Sequence, residues 1–170
     1  MTMQMTFAMI KSHVMVSDKL AAVLNATFEC MMTDRLQVRA MHSGPLEPEK
    51  IARLYQEHRD KPYYPDLVRS VSEGAMVMAF VGDDAIARWR AILGATDPNK
   101  AAPGTLRARY GSRTHMADNV AHGSDTEQAA WRELAIFFPE QIELWASQGL
   151  LVRPVREHDL DETSGSGDVQ

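Results

Sequence analysis

At 170 residues the chain has room for one sizeable core and not for two comfortable domains. A formal net charge of -5 argues against a nucleic-acid binder, so any anion binding must come from local clusters of Arg and Lys. The lone Cys30 excludes an internal disulfide and an all-cysteine metal site, and no run approaches the ~20 apolar residues that span a bilayer.

The apolar start, Met1 to Val16, has no basic segment ahead of it and is interrupted by Lys11, so a soluble, cytoplasmic protein is expected. Within that start Met5, Phe7 and Met9 alternate with Thr6 and Ala8, which predicts a strand ending near Lys11. Ser17 or Asp18 can cap the next helix, whose buried face would hold Leu20, Val23, Leu24, Thr27, Phe28 and Met31. Arg35 to Met41 alternates as a half-buried strand, with Leu36, Val38 and Ala40 inward. Leu46-Glu-Pro-Glu opens a helix containing Ile51, Leu54 and Tyr55. Lys61-Pro-Tyr-Tyr-Pro65 then breaks the chain before a short helix through Leu67, Val68 and Val71.

Gly74 to Val81 is apolar on both faces, as a central covered strand should be. Asp83 or Asp84 would cap a helix burying Ala85, Ile86, Trp89, Ile92 and Leu93. From Gly94 to Gly123 periodicity fades, and so long a loop inside a compact domain is usually functional or disordered. Ser124-Asp-Thr-Glu127 reads as a capping box for a helix through Leu134 that stops at Pro139, with a last helix running to about Gly149. These elements predict one α/β (α+β) unit over 1–154, an antiparallel sheet with helices packed on it, and a disordered acidic tail over 155–170.

The chemistry centres on His122. A lone histidine is more often a surface or core residue than a nucleophile. This one ends an irregular loop, precedes a glycine that permits close backbone approach, and stands just before a helix start that favours phosphate oxygens. Glu133, on that helix, is placed to hydrogen-bond the imidazole and leave one ring nitrogen as the attacking lone pair. Of the basic residues near the loop, Arg90 and Arg107 suit a phosphate clamp, whereas Arg88, Lys100 and Arg113 read as solvated surface. Tyr63 and Tyr64 read as core aromatics ahead of a stacking platform. There is no Walker-type glycine loop and no His/Cys metal spacing.

The segment Asn119-Val-Ala-His-Gly-Ser-Asp125 closely resembles the active-site signature of nucleoside diphosphate kinases, Asn-x-x-His-Gly-Ser-Asp. Tyr55 with Arg59-Asp-Lys-Pro-Tyr-Tyr-Pro-Asp-Leu67, the run Trp89 to Pro98, and Pro103-Gly-Thr-Leu-Arg107 look like family segments in the correct order, so the resemblance spans about residues 5 to 145. It implies a ferredoxin-like sandwich of about four antiparallel strands, and ping-pong transfer of a γ-phosphate through a phosphohistidine. By position, His122 is similar to the phosphorylated residue, Glu133 to the carboxylate that orients it, and Ser124 to the hydroxyl beside it. Lys11, Tyr55, Arg90, Thr96, Arg107 and Asn119 match residues that hold the phosphates and sugar. Tyr63 matches an aromatic on which the base stacks, and Leu67 one that lies against it. The resemblance further implies nucleoside tri- and diphosphates as substrates and Mg²⁺ carried mainly by their phosphates. It also implies a homo-oligomer, as a dimer, tetramer or hexamer.

The pattern departs from the family after the strand lysine, where Lys-Pro-Asp or Lys-Pro-Gly is replaced by Lys11-Ser-His-Val14. Proline fixes φ, so its loss alters the turn that carries Lys11. Tyr63 stands for the usual Phe, and Arg107-Ala-Arg-Tyr-Gly111 resembles the divergent branch of the family. The alternative is a nucleotide-binding or interaction module with the same fold and little turnover.

Overall fold

The structure, a computed structural model, describes residues 3–154; the tail expected at 155–170 lies outside the described residues. In chain order the elements are β1 (Met3–Ile10), a short α1 (Ser12–Met15), α2 (Leu20–Thr33), β2 (Gln37–Gly44), α3 (Pro48–Leu54), α4 (Tyr64–Ser72) and β3 (Ala75–Asp83). They continue with α5 (Ala85–Leu93), α6 (Leu106–Tyr110), β4 (Ala121–Gly123), α7 (Glu127–Phe137) and α8 (Ile142–Ser147). One sheet has the order β2-β3-β1-β4 with every pairing antiparallel, the ferredoxin-like arrangement that was expected.

β1 and β3 lie at the centre because both are apolar on two faces and can be covered on each side. Met5, Phe7 and Met9 of β1 pack with Val77, Ala79 and Val81 under Leu54, Tyr55, Leu134 and Trp145. Ala8 and Ile10 point the other way, into a second cluster with Met78, Phe80, Val23, Trp89 and Leu106. The two-residue period of the strand thus divides the core between two helical layers.

Local signals placed most helices, and their ends are where the structure differs. α5 buries the expected five residues, but neither Asp83 nor Asp84 caps it. Gln4 of β1 does so across the sheet, its Oε1 accepting the Ile86 N–H at 3.1 Å. In α2 the buried face is Val23, Ala26, Thr27 and Met31, while Phe28 is exposed. Its N-cap is Lys19, whose N–H is bonded by the Ser17 hydroxyl without either expected residue capping the helix proper.

β2 is the larger correction. A register shift between Val38 and Ala40 interrupts its alternation: Leu36 is buried and Met41 is 54% exposed, as the pattern predicts, but Val38, expected inward, is 40% exposed. Among the described residues β2 pairs only with β3, as a sheet-edge strand does. No helix among the described residues is long and apolar enough to cross a membrane.

Candidate active site

His122 belongs to β4, three residues long and therefore invisible to any periodicity argument. The Gly94–Gly123 stretch expected as loop contains this strand and α6. β4 pairs with β1 and sets His122 opposite Met9. Arg107 gives the stretch its shape from inside: its guanidinium donates to the carbonyls of Asn119 (3.2 Å), Gly94 (2.9 Å) and Ala121 (2.8 Å). Arg88 is half-buried and donates to the Asp34 carbonyl, so it is not the solvated charge that composition suggested, whereas Arg113 is exposed as expected while donating to the carbonyls of Pro98 and Ala108. Lys100 is exposed, as expected.

The histidine ring is held on several sides. Its Nε2 lies 2.9 Å from Glu133 Oε1, and the Ser124 hydroxyl donates to Glu133 Oε2 at 2.6 Å. Ser124 Oγ in turn accepts the Phe7 N–H, which ties the carboxylate to β1. The Phe7 ring stands 5.9 Å from the imidazole and stacks on Phe137 at 4.9 Å. On the backbone side, Trp89 Nε1 donates to the His122 carbonyl. A Cβ at Gly123 would collide with that same Trp89 ring, so the close approach expected of this glycine is made by an indole.

Burial alone would push the Glu133 carboxyl up. The His122 charge and hydrogen bond, the Ser124 hydroxyl and Arg132 outweigh it and hold Glu133 below the ordinary carboxylate range. Ser124 does not cap the following helix; Thr126 does, its hydroxyl accepting the Ala129 N–H at 3.1 Å. Thr126 thus satisfies one of the free N–H groups at the start of α7, and the helix serves the site through Arg132 and Glu133 in its second turn.

His122 opens on a cavity of about 690 Å³ whose lining also includes Lys11, Tyr55, Tyr63, Leu67, Arg90, Thr96, Arg107, Asn119 and Glu133. Ser124 is the one sequence-predicted residue outside that wall; it is fully buried behind Glu133. Lys11 is 3% exposed and donates from Nζ to the Ala117 carbonyl at 2.8 Å. Burial, then the nearby Arg107 charge, lower its pKa to about 7 against the pull of Asp118. Burial likewise lowers Arg107 to about 10, with Arg90 adding to it, and raises the Tyr55 hydroxyl. That hydroxyl and Asn119 Oδ1 are buried without a hydrogen-bond partner among the described residues. Unmet polar groups on a cavity wall suit a polar ligand.

Tyr63 and Tyr64 part company. Tyr64 packs against the core, while Tyr63 is 47% exposed at the cavity, its hydroxyl 3.2 Å from His58 Nδ1. Met116, exposed on the cavity wall, and the ion pair of Arg132 with Glu57 had no signal in the sequence reading. The Met116 side chain interrupts no pattern and sits in a loop, so only the fold could bring it to the cavity.

A sandwich that sets a carboxylate-bound histidine among Lys and Arg side chains in one cavity has the parts of a phosphoryl-transfer enzyme. The family model described as nucleoside diphosphate kinase matches residues 4–142. A nucleoside diphosphate kinase of Desulfovibrio desulfuricans is 39% identical over 80% of this chain and 94% of its own length. That of Sulfolobus acidocaldarius is 37% identical over 86% and 97%. Among solved structures, the Halobacterium salinarum nucleoside diphosphate kinase in complex with CDP aligns with a TM-score of 0.72 and 29% identity, over 92% of this chain and 96% of its own. The chain belongs to the nucleoside diphosphate kinase family.

Proposed function

We propose that the protein is a nucleoside diphosphate kinase working through a phosphohistidine at His122. The observation that carries this is the 2.9 Å contact between His122 Nε2 and Glu133, which leaves Nδ1 as the nitrogen with no hydrogen-bond partner among the described residues. Nδ1 attacks the γ-phosphorus of a nucleoside triphosphate. The bond to the β–γ bridging oxygen breaks, and the diphosphate leaves with that electron pair. In the second half the terminal oxygen of another diphosphate attacks the same phosphorus, and the P–N electrons return to Nδ1. Glu133 keeps the Nε2 proton and stabilises the positive charge that the ring gains on phosphorylation.

Lys11, Tyr55, Arg90, Thr96, Arg107 and Asn119 hold the phosphates and sugar in this proposal, since all line the cavity. The base stacks on Tyr63, with Leu67 and Met116 completing an apolar slot at the mouth. Stacking without edge recognition gives broad tolerance of the base.

Mg²⁺ fits as a passenger on the polyphosphate, because the described residues hold no group of three or more His, Cys, Asp or Glu placed to bind a metal. Of the cavity carboxylates, Glu57 pairs with Arg132, Asp66 with Arg69 and Glu133 with His122, which leaves Asp125 open to the cation. The ion would neutralise phosphate charge.

We also assign residues 1–154 to one catalytic domain in a cytoplasmic protein, where the lone Cys30 stays reduced and nucleotides abound. A homo-oligomer is supported by the open β2 edge and by the exposed Phe28, Met32, Val38 and Met41. Incubation with γ-labelled ATP tests the chemistry. An acid-labile, base-stable label is expected on the native chain and none on His122→Ala. No label on the native chain overturns the enzyme, and label that does not pass to added diphosphates favours a binding module.

A further inference from the structure

Where the family pattern has Lys-Pro, this chain has Lys11-Ser12-His13, and the structure shows what the two replacements do. The Ser12 hydroxyl, buried, donates to the Gly74 carbonyl and anchors the turn to the start of β3. His13 reaches the other way. Its Nε2 accepts the Val120 N–H at 3.2 Å, while the backbone N–H of Lys11 donates to the Val120 carbonyl at 2.9 Å. Both polar groups of Val120 are thus bound by one short segment.

Val120 is an unusual residue to find so held. Its φ of 75° is in the left-handed region, which a β-branched side chain strongly resists. The Ala121 N–H closes back onto the Asn119 carbonyl at 2.9 Å, a tight three-residue turn of the strained hand. Such a conformation persists only where its surroundings over-determine it, and here it stands two residues before His122. Asn119 and Ala121, on either side of it, supply two of the carbonyls that hold Arg107.

We propose that His13 is a positioning residue for phosphoryl transfer: as a neutral acceptor it locks the Val120 turn and so sets His122, Lys11 and Arg107 relative to one another. The proposal rests on His122 being the phosphate carrier. The role demands one tautomer, with the proton on Nδ1 and the lone pair on Nε2. The surroundings favour it. Nδ1 is buried without a hydrogen-bond partner among the described residues and faces Asp118 Oδ1 at 3.8 Å. Asp118 is in turn gripped by Arg69 of α4 at 3.4 Å. Burial lowers the His13 pKa to about 4, Asp118 opposing and Lys11, Lys19 and Arg69 adding to the effect. The acceptor is therefore kept through the neutral range.

Two measurements on the full chain test this. Long-range ¹H–¹⁵N NMR should show His13 protonated on Nδ1 and bare on Nε2 from about pH 5 upward. An Nε2–H tautomer, or titration near the ordinary histidine value, overturns the proposal. In steady-state kinetics, His13→Leu should lower kcat about tenfold or more and raise the diphosphate KM by less than that factor, because Lys11 and Arg107 shift with the turn while the base slot is untouched. His13→Gln, which restores an acceptor, should recover kcat to within about threefold of the native chain. Equal kcat in the two variants, high or low, overturns the proposal even if His13→Leu folds poorly. Failure of the unsubstituted chain to transfer phosphate removes the carrier reading itself and this inference with it, whereas an active chain indifferent to His13 removes the inference alone.

Discussion

Glu133 and Lys11 show how burial is used in opposite senses at one site. Glu133 is held ionised despite burial because His122, Ser124 and Arg132 all favour its charge. Glu133→Gln keeps a hydrogen-bond partner but removes the charge that supports the imidazolium. It should slow phosphorylation of the enzyme by about 10²-fold, with nucleotide affinity nearly unchanged, as single-turnover transfer would reveal. A native-like rate would show that Glu133 only orients the ring. Lys11 is the reverse case, lowered to about 7 by burial and by Arg107. At about pH 8 it is mostly neutral in the empty site, and an arriving polyphosphate raises its pKa, so binding takes up a proton. Calorimetry in buffers of different ionisation enthalpy should detect that uptake near pH 8, find little at pH 6, and lose it in Lys11→Met. The same sign governs folding. Between about pH 7 and 10.5 the unfolded chain binds the proton that the folded chain lacks, so stability gains from this group as pH rises.

At the scale of elements, helix ends carry more of the site than helix interiors do. α7 presents Glu133 at the correct height because Thr126 starts the helix, while the expected cap, Ser124, is engaged with Glu133. Thr126→Ala should cost about 1 kcal/mol in denaturant unfolding and leave the His122–Glu133 contact intact, so activity changes little. A large loss of activity at unchanged stability would mean that the α7 terminus meets substrate directly. α5 is tied at its own start by Gln4 and, through Trp89, to the His122 carbonyl. One helix whose apolar face was plain from its spacing therefore also fixes the backbone of the proposed carrier.

For the molecule as a whole, the sheet is covered on both faces and its two edges differ. β4 ends it at the cavity, and β2 ends it with a bulged, exposed strand. In the proposed homo-oligomer, this edge, with Val38 and Met41 turned to solvent, is the surface offered to a second copy of the chain. Sedimentation velocity should find a species larger than the monomer, and Met41→Lys should shift it toward monomer with a lower Tm. A native chain that sediments as a monomer at all concentrations excludes that assembly. The cavity is formed within a single chain, so the monomeric variant should still accept the γ-phosphate label on His122.

The sequence by itself determined those features whose cause is local. A continuous apolar run put β3 at the centre, alternation marked β1 as a strand, helical spacing selected the buried face of α5, and the Asn-x-x-His-Gly-Ser-Asp segment pointed to His122 with Glu133 behind it. Tertiary structure decided whatever depends on partners distant in the chain. Gln4 caps a helix 82 residues away, and His13 holds an amide 107 residues away. Arg88 reached a carbonyl 54 residues away, and Tyr63 turned outward to the cavity, although composition suggested the opposite for each. The reason is common to all four. A hydrogen bond or a cavity wall needs atoms in space, and spacing along the chain reports only what one helix or strand brings to its own face.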